Sequence, residues 1–173
     1  MKDINSFKLE KIKDNLNNKF IGRKIYYYDT IDSTNRMAKD IANNEEEGVI
    51  IVAEEQTEGR GRLGRPWVSY KKKGIYLSVI LKPQVPPIKV AKLTLLGAAA
   101  VYLALDEIGI NSEIKWPNDI IINGKKVCGI LTEMSSELDM INYVVLGIGV
   151  NVNLGKDDIP DDLQHIATSL KIE

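Results

Sequence analysis

Residues 54–74 constrain this chain more than any other stretch. They separate two continuous apolar runs, Val49–Ala53 and Ile75–Leu81, which both read as buried strands. Between the runs neither the strand period nor the helical period of apolar residues continues. The stretch holds four glycines, three arginines and three consecutive lysines instead. Loops of this length inside a compact domain are usually functional. The fold must therefore hang a long, cation-rich loop between two sheet strands.

The flanking elements follow from local signals. Lys24–Tyr28 reads as a strand, and Asp32-Ser33-Thr34-Asn35 as a helix start whose buried face is Met37, Ala38, Ile41 and Ala42, with Gly48 as the stop. Pro86-Pro87 sets the first turn of a long apolar helix ending at Gly109. Its uninterrupted apolar run, Leu95–Leu105, is too short to cross a bilayer and predicts a core helix. Glu113–Trp116 and Ile120–Ile122 are short strands, and Asn123-Gly124 is a hairpin turn into the strand Lys125–Met134. Asn142–Asn153 makes a further strand, and Leu9, Ile12 and Leu16 predict a surface helix over 6–20. The class is α+β: a mixed, mostly antiparallel sheet with helices packed on one face.

Composition narrows the chemistry. Lys and Arg number 23 against 24 Asp and Glu, so the net charge is -1 and anion binding must come from local clustering. A single cysteine, Cys128, excludes an internal disulfide and a cysteine zinc cluster, and a single histidine, His165, argues against a multi-histidine metal site. Neither has a triad partner, and nothing resembles a covalent nucleophile. Met1–Phe20 is polar and charged throughout, with no secretory signal, so the cytoplasm is the expected compartment.

Four clusters carry candidate chemistry. The first is Gly59-Arg60-Gly61-Arg62-Leu63-Gly64-Arg65, which takes three of the five arginines in the chain. Spaced guanidinium groups and free backbone N–H groups suit a phosphate or carboxylate. A dinucleotide fingerprint is excluded, because Pro66 and Trp67 follow where a helix is required and no acidic residue occurs between Gly64 and Asp106. A P-loop is excluded because Arg65-Pro66 stands where Lys-Ser/Thr is needed. The bland alternative is a solvated basic turn. Glycine entropy and mutual arginine repulsion favour a loop that orders on binding an anion.

The second cluster is Lys115-Trp116-Pro117-Asn118-Asp119, where a lysine between two strands is either a snorkelling edge residue or a cation aimed at an anion. The third, Ser33-Thr34-Asn35, is either plain helix capping or a site for a neutral polar ligand such as a ureido group. The fourth is Gly147–Asn153, a strand end whose glycines admit a ligand and whose amide can read a base edge.

In order along the chain, these elements, with Gln56, Trp67 and Lys126-Val127-Cys128-Gly129-Ile130-Leu131, resemble the catalytic domain of biotin protein ligases from about Tyr28 to about Leu170. The resemblance implies a biotin/lipoate ligase-like, class II synthetase-like fold. It also implies that biotin is activated with ATP and Mg²⁺ to biotinyl-5'-adenylate and passed to a lysine of a biotin carboxyl carrier protein. By resemblance, Ser33, Thr34, Asn35, Gln56, Gly59, Arg60, Gly61, Arg62, Lys115 and Gly129 would hold biotin. Arg62, Arg65, Trp67, Asn118 and Asn151 would hold the nucleotide, and Lys115, Arg60 and Arg62 would be catalytic. No metal ligands are assigned. A lipoate–protein ligase relative and a non-enzymatic biotin or biotinyl-adenylate binding module are the alternatives. The complete Gly-Arg loop and Lys115–Asp119 argue for biotin.

The expected organisation is one catalytic domain over 1–173, with a helical extension at 1–24 and without the small C-terminal β-barrel usual in the family. Only 32 residues precede Ser33, the start of the first motif, so no DNA-binding winged helix is expected before it. The expected partners are therefore biotin, ATP and the carrier protein, with neither DNA nor a membrane, and a homodimer is possible.

Overall fold

The computed structural model describes residues 20–173, so the helix expected over 6–20 lies, apart from Phe20, outside the described residues. Seven strands form one sheet: β1 (Ile25–Tyr28), β2 (Ile50–Ala53), β3 (Gly74–Leu81), β4 (Glu113–Lys115), β5 (Asp119–Ile122), β6 (Lys125–Glu137) and β7 (Met140–Asn151). Their spatial order is β1-β2-β3-β7-β6-β5-β4. Only β1 and β2 pair in parallel, and every other neighbour is antiparallel. The mixed, mostly antiparallel sheet read from the sequence is the sheet that forms. The Asn123-Gly124 turn joins β5 to β6 with both residues at positive φ, 51° and 79°, as a two-residue hairpin requires.

The two longer helices are α1 (Thr34–Ile41) and α2 (Ala91–Glu107). Ser33 caps α1 by accepting from the Arg36 amide. The helix lasts only to Ile41, so Glu45-Glu46-Glu47 lie in the turn that follows. Gly48 is needed there, since its φ is +88° and a Cβ would stand 2.4 Å from the Phe20 carbonyl oxygen.

The helices lie on opposite faces of the sheet, not together on one. Ala38 and Ala42 of α1 pack with Ile51, Ile80 and Val145. Ala98 and Leu105 of α2 pack with Ile130, Leu146 and Val150. Val145 and Leu146 are consecutive on β7, and consecutive strand residues point to opposite faces. Sequence periodicity shows that a helix has a buried side, but not which side of a sheet receives it.

Pro87–Glu107 is long and apolar enough to cross a bilayer by length and composition. Here Gly97, Ala98 and Leu105 seat it on the sheet. A Cβ at residue 97 would come within 3.3 Å of the Leu146 methyl groups, so glycine lets the helix approach closely. The outer side of α2 keeps Leu96 and Leu103 exposed, so it covers the sheet without being enclosed itself. Ile130, Val144 and Val145 are essentially fully buried. Truncating any of them to alanine would cost about 2–4 kcal/mol, which keeps the central strands a rigid floor for what lies above.

Candidate functional site

The site is built on the α1 face of that floor. Gly147 and Gly149 of β7 point to this face, and Gly149 pairs across with Gly129 of β6. Without side chains here, other groups reach the backbone. A Cβ at residue 147 would be 2.0 Å from Asn35 Oδ1, and one at residue 149 would be 2.4 Å from Trp67 Nε1. Alternating glycines in β7 therefore place the Asn35 amide and the Trp67 indole directly on the sheet.

The long loop supplies the roof. It returns on itself as a small hairpin, with Trp67 N–H donating to the Gly59 carbonyl at 2.8 Å and Gly61 N–H to the Arg65 carbonyl at 2.7 Å. A single turn of 3₁₀ helix, Arg62–Gly64, forms the tip, with Leu63 and Gly64 at positive φ, 56° and 73°. Arg62 Nη1 donates to Asn118 Oδ1 at 2.7 Å and ties the loop to the β4–β5 connection.

Beneath the roof lies an open cleft with about 440 Å³ of empty space, solvent at its mouth included. It gathers Ser33, Thr34, Asn35, Gln56, Arg60, Gly61, Arg62, Trp67, Asn118 and Gly129. All ten were singled out in the sequence, from four separate segments. One end is polar and fully wired. Thr34 N–H and Oγ1 both reach Gln56 Oε1, at 2.9 and 3.0 Å. Gln56 Nε2 donates to Ser69 Oγ at 2.9 Å, and Ser78 Oγ lies 2.6 Å from Asn35 Oδ1. This end offers oriented hydroxyl and amide groups and no net charge, which suits a neutral polar ligand.

A second cavity of about 390 Å³ opens on the other side of Trp67. It is lined mainly by apolar groups, among them Pro66, Leu154, Ile159 and Leu163, with Asn151 and the Asp158 carboxylate, ion-paired with Lys73, as polar groups. Asn151 Nδ2 donates to the Thr168 carbonyl at 3.0 Å, which fixes its orientation. Trp67 is thus a shared wall between a polar and an apolar chamber.

Three of the residues expected at the site line neither cavity in the folded chain. Lys115, read as a biotin-binding and catalytic cation, lines neither cavity. It lies opposite Asp119 at the end of β4, the outermost strand, all of whose residues are exposed. The lysine that lines the cavity, beside Arg60 and Arg62, is Lys126 of β6. Its Nζ is 2.7 Å from Asp119 Oδ1 and 5.2 Å from the centroid of the Trp67 ring, close enough for a cation–π contact. Lys126 stands beside Lys125 after a hairpin turn, where a lysine pair reads as solvated, and only the sheet register shows which one turns inward. Arg65 is exposed and also lines neither cavity. Gly59 lies behind the roof, with no room for a Cβ, which would be 2.2 Å from the Trp67 carbonyl oxygen. Its role is to close the hairpin.

The remaining candidates behave as simple residues. Burial pushes the Cys128 thiol up to about 12, so it stays protonated. Among the described residues no group of three His, Cys, Asp or Glu side chains is placed to hold a metal ion.

The mixed sheet thus carries a Gly-Arg roof over a cavity that has a neutral polar end and the cations Arg60, Arg62 and Lys126, with a mainly apolar chamber sharing Trp67. Residues 27–151 match the model of the biotin/lipoate A/B protein ligase family, and the chain belongs to that family. It is 49% identical to the bifunctional ligase/repressor BirA of Bacillus spizizenii over 162 residues, 92% of this chain and 50% of that protein. It is 38% identical to the biotin–[acetyl-CoA-carboxylase] ligase of Paracoccus denitrificans over 128 residues, 70% of this chain and 51% of that protein. The structure is similar to that of biotin protein ligase from Aquifex aeolicus in complex with biotin and ATP. That likeness has a TM-score of 0.74 and 36% identity, and covers 87% of this chain and 60% of that one. The biotin protein ligase of Leishmania major in complex with biotinyl-5-AMP gives a TM-score of 0.70 at 28% identity. The chain spans about half the length of the curated relatives it matches.

Proposed function

We propose that this chain activates biotin with ATP to biotinyl-5'-adenylate and transfers the biotinyl group to a lysine of a biotin carboxyl carrier protein in the cytoplasm. The observation that carries this reading is the pair of chambers on either side of Trp67, with Lys126 beside the shared wall. The polar chamber fits a ureido ring. Its Thr34, Asn35 and Gln56 groups complement a neutral ligand that both donates and accepts. The apolar chamber with Asn151 fits a purine base. The reacting carboxylate and α-phosphate would then meet near Lys126, Arg60 and Arg62.

The first step needs no protein nucleophile. A biotin carboxylate oxygen attacks the α-phosphorus, the bond to the β-phosphate oxygen breaks, and pyrophosphate leaves with that electron pair. Two anions must approach each other, and charge grows on the α-phosphate oxygens. Fixed cations in a partly enclosed site offset that repulsion and stabilise the developing charge. In the second step the neutral amine of the acceptor lysine attacks the biotinyl carbonyl, the bond from that carbon to the AMP phosphate oxygen breaks, AMP leaves with the electron pair, and the nitrogen releases one proton to solvent. Alignment supplies most of the rate there. Mg²⁺ has no protein cradle among the described residues, so it would enter with the nucleotide phosphates, and no step here is assigned to it.

Biotin-dependent exchange of pyrophosphate into ATP tests the reading. Exchange that requires biotin and is not supported by lipoate is expected. Exchange with lipoate alone would favour a lipoate ligase. Biotin binding without any exchange would reduce the chain to a binding module.

A further inference from the structure

Lys73 stands just before β3 and holds one wall of the apolar chamber in two ways. Gly74, the first residue of β3, pairs with Asn151, the last of β7. Where the chain leaves β7, the Lys73 carbonyl accepts from the Val152 and Asn153 amides, at 3.0 and 2.8 Å. Asn153 Nδ2 adds a bond to the Lys72 carbonyl at 3.1 Å. The Lys73 side chain holds the turn that follows, with Nζ donating to Asp158 Oδ2 at 2.7 Å. The same oxygen accepts from the Gly155 amide, also at 2.7 Å. Lys73 and the Gly155 amide keep the Asp158 carboxyl ionised below the usual carboxylate range, against the burial that would raise it.

The place of this pair sets it apart from an ordinary surface ion pair. Asp158 itself lines the chamber, together with the buried wall residues Leu154 and Ile159. The other hydrogen bonds of residues 155–159 stay local. The Asp158 amide donates to the Gly155 carbonyl, the Ile159 amide to the Lys156 carbonyl, and Gln164 Nε2 to the Ile159 carbonyl. Among the described residues, Lys73 is therefore the hydrogen-bonded tie from residues 155–159 to the β3 end of the sheet. A carboxylate in the wall of a chamber that takes a polyanion is also unfavourable unless a cation neutralises it. One ammonium group meets both needs. The two side chains are 34% and 29% exposed, so the tie is of modest strength.

We propose that the Lys73–Asp158 pair is a clip that holds residues 154–159 in place as a wall of the nucleotide chamber before any ligand arrives, which makes Lys73 a positioning residue for ATP. The proposal rests on the biotin-ligase reading, which puts the nucleotide in the apolar chamber. A wall already in place spares the incoming nucleotide the cost of ordering it. Apparent affinity falls in proportion to the fraction of molecules in which the wall stands ready. The biotin cavity lies on the other side of Trp67 and is lined by neither residue, so biotin should not sense the clip.

Three variants test it in the full chain: Lys73→Met, Asp158→Ala and the double variant. Pyrophosphate exchange is followed against ATP and against biotin. Each single change should raise the ATP KM about threefold to fivefold, the scale of a part-exposed ion pair, with the biotin KM within about twofold. Because the two residues act as one clip, the double variant should be no worse than Asp158→Ala alone. A merely structural role would move both KM values together. That result, an unchanged ATP KM in Lys73→Met, or single effects that multiply in the double variant would each overturn the proposal.

A readout without ligand separates this from the biotin-ligase reading. In the unliganded protein the Gly155 amide should undergo hydrogen exchange about threefold to fivefold faster in Lys73→Met, while the Val152 and Asn153 amides, which bond to the backbone of residue 73, should stay within about twofold. If the unmodified protein incorporates no pyrophosphate into ATP, the ligase reading fails while hydrogen exchange still decides whether the clip holds the wall. Equal Gly155 exchange in both proteins would overturn the clip whatever the chamber binds.

Discussion

The Trp67 indole rests on Gly149: a Cβ there would come within 2.4 Å of Trp67 Nε1. The partner strand offers the same bare surface, since a Cβ at Gly129 would be 3.1 Å from Trp67 Cζ3. A loop residue thereby becomes the wall between two chambers, held by the flatness of the sheet beneath it. Gly149→Ala should push the indole off the floor and enlarge one chamber at the expense of the other. Adenylate formation is expected to fall about tenfold or more, with a stability loss of about 1–3 kcal/mol, the usual scale for overpacking. Pyrophosphate exchange and tryptophan fluorescence measured on the same variant check both parts. Unshifted fluorescence with a normal rate would mean that the wall tolerates the methyl group.

The two lysines make opposite predictions. Lys126→Met should lower adenylate formation by about 100-fold or more while leaving the circular dichroism spectrum unchanged. Lys115→Met alters an exposed edge strand and should change the rate by less than about twofold. Single-turnover adenylation with both variants decides between them. A large loss in Lys115→Met alone would restore the assignment made from the sequence.

The roof is tied down by Arg62 and Asn118. Asn118→Ala removes that tie and leaves the hairpin bonds of Gly59, Gly61 and Trp67 in place. Tryptic cleavage after Arg60 or Arg62 should accelerate about fivefold to tenfold, corresponding to about 1 kcal/mol of opening free energy. Saturating biotinyl-adenylate should suppress cleavage in the unmodified protein. Equal cleavage with and without ligand would mean that the hairpin is preformed and needs no anion to hold it.

Cys128 should be chemically silent in the native state. With its thiol raised to about 12, only about one molecule in ten thousand carries a thiolate at pH 8. Alkylation by iodoacetamide should be at least about a thousandfold slower than for a free thiol, and should become fast on unfolding. Mass spectrometry of native and denatured samples measures the ratio, and rapid labelling of folded protein would contradict the buried placement.

Much of this protein is written locally. The β-branched runs, the Ser33 cap, the Asn123-Gly124 turn and the aperiodic Gly-Arg loop each depend on neighbours within a few residues, so the sequence by itself determined the strands, the helix starts and the presence of a functional loop. The composition of the polar chamber was legible for the same reason. Thr34, Gln56 and Arg62 belong to unusual local clusters that stand out against scattered surface polarity. Only the tertiary structure decided which face each helix covers, because a buried stripe on α1 or α2 is the same stripe on either side of a sheet. It also decided which lysine lines the cavity. Lys115 and Lys126 are both lysines near the end of a strand, and the difference lies in strand order: β4 is the outer edge, whereas β6 lies inside the sheet at the glycine floor. The Glu133 carboxylate on β6, which accepts from Lys39 Nζ and Asn35 Nδ2, was not legible in the sequence for a related reason. Its partners Lys39 and Asn35 are 94 and 98 residues away in the chain, and no local pattern records a contact made by folding β6 against α1.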